Sequence, residues 1–221
     1  MDDILHKLGG KLRPTPERPL LGLTVLVVED SRHASEAMRL LCLRSGARIR
    51  RADCLASAER HLGLYQPSAA IIDLGLPDGS GLDLSARIQA QHPRVPVVLG
   101  TSGADPVEAA ADARKAGADG FLPKPVETLA AFQSAILDLL PPDLRPTLPP
   151  RLVEGGKITP DTLTLREDLS HALALLAQPD PPLGYLRRFL LGVARGAQDK
   201  ALEGRALALT TGLDPAGRQA F

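Results

Sequence analysis

The 221-residue chain has no tryptophan, four Phe, two Tyr, only two cysteines and no excess of either charge, with 26 Lys and Arg against 26 Asp and Glu. So few aromatics leave no stacking platform for single-stranded bases, and balanced charge removes the basic field on which phosphate-backbone binding draws. The core must be aliphatic. Cys42 and Cys54 form no CxxC pair and have no histidine at metal-ligand spacing, which argues against a disulfide framework or a zinc site and fits a reducing compartment. No apolar run approaches the ~18 residues of a membrane span. The start, Met1-Asp2-Asp3-Ile4-Leu5-His6-Lys7, lacks the basic-then-apolar order of a secretory signal. A soluble cytoplasmic protein with no membrane contact is expected. Nucleotide loops are missing too: Gly79-Ser80-Gly81 lacks GxGxxG, and Gly155-Gly156-Lys157-Ile158 lacks the Ser or Thr after Lys.

What is present is alternation. Residues 1–22 read as an arm whose Pro14, Pro16 and Pro19 favour an extended path, with no chemistry assigned to it. From Thr24, short β-branched runs alternate with Ala/Leu-rich helical runs. The strand candidates are 24–28, 48–52, 69–73, 95–100 and 118–122, and the helix candidates 32–45, 55–65, 81–91, 105–116 and 126–140. Strict alternation predicts an α/β fold, a doubly wound five-stranded parallel sheet with right-handed connections over residues 23–140. Pro141-Pro142 and the prolines to Pro150 read as a semi-rigid linker, 141–150. In 151–221, leucines recur at helical spacing (Leu165, Leu169, Leu173, Leu176, then Leu183, Leu186, Leu190), which predicts a small all-α unit of two or three helices. Such a unit buries little apolar area alone and gains from docking or dimerising.

Doubly wound sheets bind at the carboxyl ends of their strands. There the sequence places Glu29 and Asp30 after strand one, Asp73 after strand three, Thr101 after strand four and Lys124 after strand five. Three carboxylates in one small site repel unless a cation neutralises them, which implies a hard divalent ion, Mg²⁺, in a site that handles phosphoryl groups. A carboxylate nucleophile, a metal, a hydroxyl and an ammonium are the parts of a phosphoryl-transfer site.

Four motifs, Glu29-Asp30, Asp73-Leu74-Gly75-Leu76-Pro77-Asp78-Gly79, Thr101, and Gly117-Ala118-Asp119 leading to Phe121 and Lys124-Pro125, together resemble the CheY-like receiver domain of bacterial two-component response regulators. The resemblance implies a flavodoxin-like strand order 2-1-3-4-5. Asp73 would be the phosphoacceptor, with Glu29, Asp30, Asp73 and the Gly75 carbonyl holding Mg²⁺. Thr101 and Phe121 would be switch residues, Lys124 would pair with the phosphate, and Lys124-Pro125 would be cis. Gly75 and the small residues near Thr101 are expected to leave the path of an attacking water open, hence a short-lived phosphate. Asp78 and Asp83 are expected to shape the loop and cap the third helix.

The expected function is that of a phosphorelay response regulator that takes a phosphoryl group from a histidine kinase or histidine phosphotransfer protein and then switches protein contacts. The face formed by the fourth helix, fifth strand and fifth helix is the expected output surface. The C-terminal helices are expected to form a homodimer or dock a partner. A DNA-binding output is the alternative, disfavoured because the tail carries nine basic against eight acidic residues and few exposed amides on its last helix. No turnover of outside substrates is expected, since the acid/base carboxylate of aspartyl-phosphate phosphatases is replaced by Gly75. Of the histidines, His6, His33, His61 and His92 are expected to be solvated. His171, in Asp168-Leu169-Ser170-His171-Ala172, is placed on a wet helix face near Glu167, although the run slightly resembles a kinase phosphoacceptor box, so the tail could imitate a kinase hairpin without its chemistry.

Overall fold

The computed structural model describes residues 13–126, 128–149, 151 and 161–209. His6, the first part of the arm, Pro150 and the Gly155-Gly156-Lys157-Ile158 run lie outside them. Strands β1 (Thr24–Val28), β2 (Arg48–Ala52), β3 (Ala69–Asp73), β6 (Val97–Ser102) and β7 (Gly120–Pro123) form one parallel sheet in the order β2-β1-β3-β6-β7. Strand by strand this is the expected 2-1-3-4-5 order. A two-residue ribbon, β4 (Gly75–Leu76) with β5 (Gly79–Ser80), projects beyond β3.

Alternating side chains divide the core in two. Val25, Val27, Ile71 and Leu99 pack under α1 (Arg32–Ser45) and α5 (Leu129–Leu137) on one face. Leu26, Val28, Ile72 and Val98 pack under α2 (Leu55–Leu64), α3 (Gly81–Ala90) and α4 (Pro106–Lys115) on the other. Central β3 is buried along its whole length, as a parallel strand covered on both faces must be. Edge strand β2 exposes Arg48, Arg50 and Arg51, charges that discourage edge pairing. Leu20 is fully buried in the first cluster and its amide reaches Ser45 O, so the end of the arm is part of this core. Both cysteines are free, and burial pushes the Cys42 thiol up to about 12.

Local chemistry sets the helix starts. Ser31 accepts from Ala34 N ahead of α1, Ser80 from Leu82 N ahead of α3, and Asp105 caps α4 before Pro106. Asp78 does not cap the third helix: its carboxylate accepts from the Leu55 and Ala56 amides and caps α2 across the loop. Strand β6 starts at Val97 rather than Val95 because Pro96 has no N–H for the ladder, and it runs on to Ser102, paired with Pro123.

Beyond a 3-10 turn at Pro142–Leu144 come α6 (Thr162–Leu176), α7 (Leu183–Ala197) and α8 (Lys200–Ala208). A third cluster holds them together, with Leu186, Leu190, Val193, Leu176 and Ala206 buried. Leu173, expected to pack, is exposed, because α6 is turned so that Asp168, Ala172 and Leu176 face inward. Among the described residues no helix is long and apolar enough to cross a membrane.

Gly81 opens α3 directly beneath the end of β3, where a Cβ would stand 1.9 Å from Asp73 O. Gly81→Ala must therefore push the Asp73 backbone aside, at a cost of about 3 kcal/mol. Urea unfolding should show a lowered midpoint, and a midpoint equal to that of the wild type would contradict this packing.

Candidate functional site

Asp73 ends β3 and its Cα pairs in register with Thr101 of β6, while Glu29 and Asp30 follow β1, the other neighbour of β3. The sheet thus brings residues from distant stretches to one edge. Glu29, Asp30 and Asp73 each offer a carboxylate oxygen within 4.8 Å of the others. Lys124, just past β7, extends its buried side chain to them. Its Nζ donates to Asp73 Oδ2 at 2.5 Å and lies 2.5 Å from Glu29 Oε2. The buried Glu29 Oε2 has the Lys124 ammonium as its charge partner. Asp73 Oδ1 accepts from the Gly75 amide at 3.1 Å.

Three carboxylates against one ammonium leave a formal excess of two negative charges, and this imbalance adds to the burial that raises the carboxylate pKa values. Burial, then the Asp73 charge, pushes Asp30 up to about 6. Burial raises Glu29 well above the carboxylate range, offset in part by Lys124. Burial alone would lower the Lys124 ammonium, but Asp73 and Glu29 beside it hold it above its usual value. Three hard oxygen donors and two surplus negative charges fit a divalent cation.

Thr101 is buried, and its Oγ1 donates to Leu122 O at 2.6 Å, turned along the sheet toward β7. Phe121 is half-buried, packed against Gly100 and the second core cluster. The Lys124-Pro125 peptide is cis. Every residue named from the sequence for the site therefore lies at this one edge.

The space above Gly75 is partly covered. Helix α7 lies over it, with Arg188 Nε 3.2 Å from where a Gly75 Cβ would be, and Arg188, Phe189, Leu191 and Gly192 roof a cavity of about 210 Å³ whose floor is Glu29, Asp30, Asp73 and Lys124. Tyr185 donates its hydroxyl to Asp30 Oδ2 at 2.5 Å. Burial and then the Asp30 charge push its phenol up, so it stays a donor. Asp168 of α6 is buried at the start of α1, accepting from Ser31 Oγ (2.7 Å), Arg32 N (2.7 Å) and His33 N (3.0 Å). His33, expected in solvent, is buried under this contact with its Nδ1 3.3 Å from Thr164 Oγ1. His171 is exposed and sets its ring edge-on to Phe189. Sequence reasoning missed Asp168, Tyr185 and Arg188. The available signals were a carboxylate on the inward face shared by Ala172 and Leu176, and a Tyr185/Phe189 pair one turn apart in a chain so poor in aromatics.

Asp30 binds its proton more tightly folded (about 6) than at its ordinary value of 3.8, so its contribution is fully present below about pH 4 and lost as pH rises through about 6. Asp30→Asn should stabilise the protein in EDTA at pH 7.5 by about 1–2 kcal/mol, with the gain vanishing near pH 4. Thermal unfolding at both pH values checks this, and a destabilised variant at pH 7.5 would contradict it.

The response regulator receiver domain family matches residues 25–136, which takes in all of the sheet but Thr24 and every carboxylate of the site. Response regulator protein PilR of Pseudomonas aeruginosa is 36% identical over 102 residues, 46% of this chain and 23% of its own length. The DNA-binding transcriptional regulator NtrC of Proteus hauseri is 33% identical over 115 residues, 51% of this chain and 24% of its own. The chain thus spans about a quarter of the length of these relatives. Among solved structures, the receiver domain of NtrX from Brucella abortus is 28% identical, covers 52% of this chain and 98% of its own, and superposes with a TM-score of 0.47. Helices α6 to α8 lie beyond the matched residues. By the match to half of its length, the chain belongs to the response regulator receiver domain family.

Proposed function

We propose that Asp73 is phosphorylated by a partner's phosphohistidine and that the added charge switches protein contacts, making the protein a response regulator of a cytoplasmic phosphorelay. The observation that carries this reading is the Lys124–Asp73 contact at 2.5 Å inside a three-carboxylate cluster. One Asp73 oxygen attacks phosphorus, the donor's N–P bond breaks, and the imidazole nitrogen keeps the electron pair. Lys124, already within bonding distance of Asp73, stays to pair with a phosphoryl oxygen, and its burial makes that charge effective. Glu29, Asp30, Asp73 and the Gly75 carbonyl would hold Mg²⁺, which when bound offsets the phosphoryl charge. Thr101, one strand over from Asp73, would exchange its bond to Leu122 O for one to the new phosphoryl oxygen, and Phe121 would follow on the α4–β7–α5 face.

The partner in this reading is a histidine kinase or a histidine phosphotransfer protein. No turnover of outside substrates belongs to it, since the position two residues past Asp73 is Gly75, with no acid or base. Homodimerisation through the C-terminal helices finds support in Leu163 and Leu173, exposed on α6. A DNA-binding tail, the second reading, draws on relatives such as NtrC but has less support here, because Arg195 and Lys200 both pair with Glu203 instead of standing free.

Acetyl phosphate with MgCl₂ should add one phosphoryl mass to the full chain by intact mass spectrometry, and Asp73→Asn should add none. Lys124→Ala should label about 10²-fold more slowly. Equal labelling of wild type and Asp73→Asn would overturn the reading.

A further inference from the structure

The contacts that α6 and α7 make with the site are more than phosphoryl transfer requires. Asp168 completes the N-terminus of α1 immediately after Asp30, with three donors on one buried carboxylate. A carboxylate so placed gains from charge-assisted hydrogen bonds and from the helix dipole together. Tyr185 takes Asp30 Oδ2 itself. Arg188 lies across Gly75, and Arg195 donates to the carbonyls of Gly103 and Ala104, in the loop that follows Thr101. The fit there is close, since a Cβ on Gly103 would stand 2.7 Å from Gly192 Cα. Each anchor falls on, or next to, a residue of the acidic site or its loops, so docking and occupancy of the site cannot be independent.

The sign follows from charge. A divalent ion among Glu29, Asp30 and Asp73 adds two positive charges to a cavity that Arg188 also lines, and like charges repel. The same ion draws on the Asp30 oxygens, which weakens the acceptor that Tyr185 uses. Resting on the phosphorylation reading above, we propose that the α6–α7 hairpin is a lid whose docking opposes divalent-ion loading, with Tyr185 on Asp30 and Arg188 over Gly75 standing where the ion's charge is needed. Linkage makes the effect reciprocal: whatever lifts the hairpin tightens the ion, and the ion loosens the hairpin by the same factor. The 210 Å³ beneath the roof has room for an ion with a few waters or a small phosphoryl donor, whereas a donor protein's helix has to displace α7.

The test is calorimetric titration of Mg²⁺ into the full chain, as wild type, Tyr185→Phe and Gly103→Val. Tyr185→Phe keeps the ring stacked on Phe189 and removes only the hydroxyl, so it is informative even if Gly103→Val, which forces α7 off, does not fold. The expected result is Mg²⁺ binding about 5-fold tighter in each folded variant. Added Mg²⁺ should also speed hydrogen exchange at the wild-type Arg32 and His33 amides that Asp168 now holds. Equal affinity in wild type and Tyr185→Phe, or exchange slowed by Mg²⁺, overturns the lid. If Asp73 still accepts phosphate in those circumstances, only the lid fails. If no protein binds Mg²⁺ and none is labelled, the phosphorylation reading fails with it.

Discussion

One ammonium between two carboxylates organises this molecule's reactive edge. Lys124 reaches 2.5 Å from both Asp73 and Glu29, and without it the sheet would bring buried acids together uncompensated. The sheet is what makes the arrangement obligatory. Parallel strands β1, β3, β6 and β7 all end on one side, and register fixes Asp73 beside Thr101 as firmly as Ile72 beside Gly100. Lys124 offsets only part of the charge, and Asp30 and Glu29 are elevated by their burial first and by the neighbouring carboxylates second. Three carboxylates that Lys124 balances only in part make a costly cluster, and a divalent cation is the kind of charge that would relieve it.

The C-terminal helices bear on the same cost. Tyr185 donates its hydroxyl to Asp30, and Asp168 ties α6 to the first turn of α1. Receiver fold and tail are therefore one electrostatic system. The carboxylate edge is roofed by the chain's own helices, which Asp168, Tyr185 and Arg195 tie to the receiver fold.

Much of this was legible in the sequence because the relevant patterns are local or periodic. Val25-Leu26-Val27-Val28 followed by Glu29-Asp30 announces a buried strand and its functional end, and the strand limits 24–28, 48–52 and 69–73 coincide with those observed. The fourth strand shifted by two residues because Pro96 lacks a ladder donor, while pairing with β7 extends it to Ser102. Asp78 was placed on the nearest following helix, but its carboxylate reaches back across space to cap α2. Docking of the tail could not be read. Helical periodicity identifies α6 and α7 and their shared leucines, but a docking face is specified by single residues such as Asp168 and Tyr185 whose partners lie more than a hundred residues away. For the same reason His33 looked solvent-facing and is covered.

The claim that Lys124 is what makes this carboxylate cluster tolerable is tested most directly by chemical denaturation of Lys124→Met in EDTA at pH 7.5. Removing one partner from a buried ion cluster should cost about 3–5 kcal/mol, and added Mg²⁺ should restore a large part of the loss. A denaturation midpoint equal to that of the wild type in EDTA would contradict the account.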